Sequence, residues 1–120
     1  MAKYFFLLIS VLYFCTALIA EESSKVNIKK HTDFSEALKA AKESKKNILM
    51  VFSGSDWCAN CIKLKKNVLD VPAFESYANE NFIILILDFP SEKKNALSKE
   101  QIKKNEVLAE KYNPEGSFPR

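Results

Sequence analysis

Residues 25–30 set Val26 and Ile28 between polar neighbours, the period-two pattern of a short edge strand. Asp33 followed by Glu36 forms a capping box, and Phe34, Ala37, Leu38 and Ala41 then share one face of a helix. Lys45, Lys46 and Asn47 interrupt that helix. Residues 48–52 (ILMVF) are a continuous apolar run of strand length, as in a strand buried on both faces. A loop over 53–56 leads, from about Cys58, into a helical spacing that carries Ile62, Leu64, Val68 and Leu69. Pro72 suits the first turn of another helix, with Phe74, Tyr77 and Ala78 along it. Residues 82–89 (FIILILDF) read as a second buried strand, stopped by Pro90. After a polar loop over 91–97, Ser98 and Gln101 form a second capping box. They open a helix whose inner face carries Ile102, Leu108, Ala109 and Tyr112, and residues 113–116 end it. Strands alternating with helices predict an α/β layered domain.

The first twenty residues follow a different pattern. A positive start at Lys3 precedes an uncharged apolar stretch over 4–20, interrupted only by Ser10 and Thr16. The composition changes abruptly at Glu21 and Glu22. That layout predicts a secretory signal over 1–20, cleaved after Ala20 or Ala17. The stretch approaches the ~20 residues that span a bilayer, so retention as an N-terminal anchor is the competing expectation. Phe14 before Cys15 argues against a lipoprotein signal. Export places residues 21–120, a single domain, in a periplasmic or secreted compartment where disulfides persist.

Composition then excludes several function classes. The formal charge of +3 is spread along the chain, so there is no nucleic-acid footprint. Two glycines leave no phosphate-cradling loop. The paired lysines at 45–46, 65–66, 93–94 and 103–104 read as solvated faces. One histidine, His31, is expected at the surface beside the first strand, and no metal site is predicted.

The candidate chemistry sits at Asp56-Trp57-Cys58-Ala59-Asn60-Cys61, between a buried strand and a helix. A helix start directs unpaired N–H groups at the first cysteine and favours its thiolate, the nucleophilic form. Lys63, Lys65 and Lys66 add positive charge, and Asp56 opposes it. Cys58 can then attack a disulfide and Cys61, one turn on, can resolve the mixed disulfide; the reverse flow uses the same atoms. Two other readings compete. A zinc knuckle needs four ligands, and the chain offers two cysteines and a distant His31. A structural staple across two residues closes too small a loop to stabilise much. Trp57 is either core or an apolar face for a docking partner.

These residues resemble the thioredoxin superfamily, in particular its exported thiol–disulfide oxidoreductases and the soluble domain of transmembrane thiol reductases. The resemblance covers residues 26–120. It rests on the run 46–52 leading into SGSDWCANC, on Asp88-Phe89-Pro90 ending the second strand, and on NEVLAEKYNPEGSFP over 105–119. It implies a thioredoxin-like fold, a central mixed sheet flanked by helices. It implies dithiol/disulfide exchange with protein disulfides, more as reductase than oxidase, in cell redox homeostasis. Cys58 is then the exposed attacking thiol, Cys61 the buried resolving thiol, and Pro119 a cis-proline that presents backbone to substrate beside Trp57. Ala59 and Asn60 differ from the dipeptides of reducing and of strongly oxidising relatives, and they influence the potential. The strand over 49–52 has no acid to move the proton of Cys61, so Asp56 or a water would assist. The implied partners are protein disulfide or dithiol substrates and an upstream thiol donor. Nucleic acid is excluded, and membrane contact comes only through an uncleaved N-terminus. The redox-active disulfide needs no further cofactor.

In the family two strands and a final helix follow the cis-proline. This sequence stops one residue after Pro119, so those elements are expected to be lacking. The strand over 48–52 is then expected to be an exposed edge, and the chain marginally stable or self-associating. A catalytically weak or inert interaction module is the alternative function.

Overall fold

The computed structural model describes residues 27–120, so the predicted signal, Cys15 and Val26 lie outside the described residues. Three strands form one sheet in the order β1-β3-β2: β1 (Lys30–His31), β2 (Asn47–Ser53) and β3 (Phe82–Asp88). All three run parallel. β2 and β3 pair along their whole length, from Asn47 opposite Phe82 to Ser53 opposite Asp88. The central strand β3 is the apolar run that the sequence marks as buried on both faces. Ile84, Leu85 and Leu87 are fully shielded there.

Helix α1 (Phe34–Ser44) begins where Asp33 accepts hydrogen bonds from the Ser35 and Glu36 amides at 2.8 and 3.2 Å. The Glu36 carboxylate lies near His31 Nδ1, at 3.9 Å. The helix ends at Lys45, whose φ of 55° is left-handed, and the Lys46 amide bonds back to the Ala41 carbonyl. Ala37 and Ala41 are small enough to let α1 lie close on the sheet. With Leu108 and Ala109 of helix α4 (Lys99–Tyr112), α1 covers Phe52, Leu85 and Leu87. The opposite face, around Ile28, Ile84 and Ala78, is covered by helix α3 (Pro72–Asn81) with Phe74. Pro72 stands in the first turn of α3, where its missing N–H leaves no bond unmade.

Several expected details move. The first strand forms at Lys30–His31, where His31 stands opposite Leu85; of the residues expected in it, Ile28 is buried against α3 without belonging to a strand. His31 is itself buried and its Nδ1 has no hydrogen-bond partner among the described residues, because β3 holds it inside the sheet rather than at the surface. Helix α2 (Ala59–Leu64) widens into a π-helical segment, Lys65–Leu69, closed by Asp70 N–H on the Lys65 carbonyl. Cys61 and Leu69 face inward, while Ile62 on the regular part of the helix is 47% exposed and Val68 on the wide turn is exposed, against the 3.6-residue expectation. On α4, Ile102 and Tyr112 are likewise exposed, and the innermost residue is Asn105.

After α4 the chain returns to β2. The Asn113 side chain accepts from the Ser117 amide at 3.2 Å and donates to the Ser117 carbonyl at 2.9 Å, which shapes the turn through Gly116. The Phe118–Pro119 peptide is cis. Arg120 and Phe52 then exchange both main-chain hydrogen bonds, at 2.7 and 3.3 Å, the pattern of an antiparallel pair. An open groove of about 700 Å³ flanks this edge, lined by Leu38, Ile48, Met50 and Tyr112 among others. Among the described residues no helix is long and apolar enough to cross a membrane.

Candidate functional site

β2 delivers the chain to the site at Ser53, whose carbonyl accepts from the Phe89 amide at 2.8 Å. Asp88, at the end of β3, holds the next turn: its carboxylate accepts from Ser55 N–H at 2.9 Å and from Ser55 Oγ at 2.5 Å. The Cys58 amide closes the turn on the Gly54 carbonyl at 2.9 Å. Cys58 itself is the N-cap of α2, and its Sγ accepts from the Cys61 amide at 3.2 Å. The unpaired N–H groups of the helix start thus face sulfur, as the motif predicts.

Cys58 and Cys61 form a disulfide, with their Cα atoms 5.2 Å apart. Cys61 is 3% exposed and lies against the Gly54 amide, 3.5 Å from its Sγ. Cys58 was expected to be exposed and is instead only 7% exposed. As N-cap its side chain folds over the first turn, and its sulfur is engaged by Cys61. Ala59 and Asn60, between the cysteines, are exposed.

Trp57 stands in front of the disulfide, 50% exposed. Its Nε1 donates to the Phe89 carbonyl at 2.7 Å. Its ring meets Phe118 edge-on at 5.5 Å, and Phe118 meets Phe89 in the same way at 5.5 Å. The indole also lies against the backbone of Gly54, where a Cβ would overlap it. Three separate parts of the chain therefore meet beside the disulfide: the loop before Cys58, the end of β3, and the turn carrying cis-Pro119. The Trp57–Phe118 contact brings the turn carrying Pro119 to the end of the sheet where Cys58 and Cys61 lie.

Asp56 behaves differently from the expectation that it serves Cys61. Its carboxylate accepts from the Ser91 and Glu92 amides, at 2.9 and 3.0 Å, and from Asn95 Nδ2 at 3.0 Å. These bonds, led by the Ser91 amide, hold its pKa down to about 2. Asp56 thus supports the site by pinning the 91–95 loop rather than by moving a proton. Gly54, Asp88, Phe89, Asn113 and Phe118 were not singled out as site residues. The signal for them was membership in the stretches that carry the resemblance, SGSDWCANC, Asp88-Phe89-Pro90 and NEVLAEKYNPEGSFP. No group of side chains suited to hold a metal ion occurs among the described residues.

Comparison with known proteins agrees with this geometry. Residues 28–117 match the sequence profile of a family described as thioredoxin-like. The chain is 37% identical over 86 residues to the disulfide bond reductase DsbH of Chlamydia pneumoniae, covering 72% of this chain and 50% of that protein. It is 36% identical over 70 residues to the thioredoxin-related protein DsbJ of the same organism, covering 58% of this chain and 20% of that protein. The chain therefore spans half or less of the length of these curated relatives. The solved structure of a DsbH oxidoreductase superposes with a TM-score of 0.69 at 33% identity, over 78% of this chain and 62% of that one. A C-x-x-C pair at a helix start in an α/β domain that also carries a cis-proline, together with a profile match over most of its length, makes this chain a member of the thioredoxin-like family.

Proposed function

We propose that the chain catalyses thiol–disulfide exchange with protein disulfides and works as a reductase. The observation that carries this reading is the Cys58–Cys61 disulfide capping α2, with Cys58 Sγ accepting a helix N–H. The same donor that bonds this sulfur in the disulfide stabilises a thiolate there after reduction. The direction is supported by the name disulfide bond reductase carried by a 37%-identical relative.

In the reduced protein the Cys58 thiolate attacks a substrate disulfide. A Cys58–substrate bond forms, the substrate S–S bond breaks, and the first substrate sulfur leaves and takes up a proton. Cys61, deprotonated, then attacks Cys58 Sγ, and the second substrate thiol leaves. Two electrons pass from the cysteine pair to the substrate, and an upstream dithiol returns them. The exchange uses sulfur chemistry alone. Trp57 and the backbone at Pro119 form the docking wall for the substrate chain, and Ala59 and Asn60 tune the potential from the exposed rim. Residues 1–20 act as the export signal that brings the domain to an oxidising compartment with such substrates.

Insulin reduction by the purified chain, with dithiothreitol as donor, tests the activity. Cys58→Ser is expected to drop the rate to the dithiothreitol background, and the unmodified Cys58 to alkylate faster than free cysteine at neutral pH. Equal background rates for both proteins would instead leave a thioredoxin-like interaction module.

A further inference from the structure

Behind the disulfide, on the side away from Trp57, lies a small cavity of about 50 Å³. Cys61 forms part of its wall, with Val51 and Ser53 of β2 and Ile86 of β3. None of those strand residues can ionise. The remaining polar walls are charged: Lys30 from β1, Lys65 from the π-helical segment, and Asp70 at its end. Lys30 Nζ donates to Asp70 Oδ1 at 2.5 Å and to Glu75 Oε1 of α3 at 3.1 Å, and Lys65 pairs with the other oxygen of Asp70. The walls shared with Cys61 thus include two lysines and one aspartate, whose charged ends pair with one another. Glu75 belongs to the cluster through Lys30 but does not line the cavity.

We propose that Lys30, held in place by Asp70 and Glu75, is the positioning charge that favours the thiolate of the resolving cysteine. The inference rests on the exchange reading above and assigns a residue to its second step. Burial alone disfavours a thiolate at Cys61, and β2 carries no ionisable group to draw off its proton. A cation across a narrow space offsets part of that penalty, because part-buried charges are less screened than fully exposed ones. Lys30 is suited to stay charged: burial opposes its ammonium, but the bonds to Asp70 and Glu75 outweigh it and hold its pKa above the ordinary lysine value. Asp70 is held below the ordinary carboxylate range, first by Lys30 and then by Lys65. It therefore orients Lys30 and is a poor proton acceptor. In the step itself Cys61 gives its proton to solvent and its Sγ bonds to Cys58 Sγ. The Cys58–substrate bond breaks, and the departing substrate thiolate is reprotonated from solvent, so electrons and protons balance.

Thiolate absorbance in a Cys15→Ser, Cys58→Ser background reports the titration of Cys61 alone. Lys30→Met is expected to raise its midpoint by about one pH unit, and Lys30→Arg to keep it low. Asp70→Asn, which removes the opposing charge while Glu75 still holds Lys30 in place, is expected to move the midpoint down. Mere loosening of the fold would move Lys30→Met and Asp70→Asn in the same direction, so the opposite signs are diagnostic. A Lys30→Met midpoint equal to that of the parent, or a fall in both variants, overturns the proposal. Should Lys30→Met not fold, an Asp70→Asn midpoint that stays or rises overturns it equally. Loss of insulin reduction in the unmodified chain would sink the exchange reading, whatever the Cys61 titration shows.

Discussion

The two sides of the disulfide are built from opposite materials. In front, Trp57, Phe89 and Phe118 form an aromatic wall with no charge in it, held by one indole hydrogen bond and two edge-to-face contacts. Behind, Lys30, Lys65 and Asp70 surround a space next to Cys61. The front is half open to solvent and joins three distant parts of the chain; the back is narrow and lies under the strands. An apolar face that a partner can cover suits docking, where burial of ring surface drives association. A confined charged space suits tuning of a buried thiol, because field effects are largest where water is scarce. The difference teaches that docking and thiol chemistry can be separated by mutation even though they share one disulfide.

The most disruptive way to break the front is Gly54→Ala. The new Cβ enters the space of the Trp57 indole, so ring or backbone must shift. A loss of about 2 kcal/mol in denaturant unfolding is expected, with altered tryptophan fluorescence. Unchanged stability and fluorescence would show that the wall is not packed as described.

Trp57→Phe is a milder change that keeps an apolar ring and removes the bond to the Phe89 carbonyl. A loss of about 0.5–1 kcal/mol is expected. The KM for a protein disulfide should rise several-fold, while reaction with a small-molecule disulfide stays within about twofold if the wall serves docking alone. Equal losses toward both substrates would merge front and back into one function.

The smallest effect at neutral pH is expected for the loop anchor. Asp56 titrates at about 2 in the folded chain, against 3.8 for an unperturbed carboxyl. A lowered folded pKa means that its stabilisation is complete above the unfolded value and lost as pH falls through the folded one. Between about pH 4 and pH 2 the melting temperature should therefore fall less steeply in Asp56→Asn than in the parent. Parallel acid profiles would show that the 91–95 loop does not depend on that carboxylate.

Local signals in the sequence reached far. Asp33 and Ser98 cap helices as their side-chain chemistry dictates, and Pro72 starts one. The apolar runs over 48–52 and 82–87 form strands because their side chains are mostly taken up by the helices on the two faces of the sheet. Cys58, Cys61 and Pro119 were marked by type and spacing. Helical spacing failed where the helix itself departs from 3.6 residues per turn, as at Val68. It also failed where a polar residue takes the core position. Asn105 is 2% exposed because its side chain donates to the Asp88 carbonyl and accepts from Gln101. No hydrophobic pattern can announce that, since the Asp88 carbonyl lies on another element.

The amino-acid sequence by itself determined the alternation of strands and helices and the place of the reactive pair at a helix start. Those features depend on residues close together in the chain, whose propensities and hydrogen bonds act over a few positions. Only the tertiary structure decided that Asp56 serves a loop rather than a thiol, that His31 is buried, and that Lys30 shares a cavity with Cys61. Each of these depends on a partner thirty or more residues away, and a side chain's charge or polarity does not say which partner the folded backbone will set beside it.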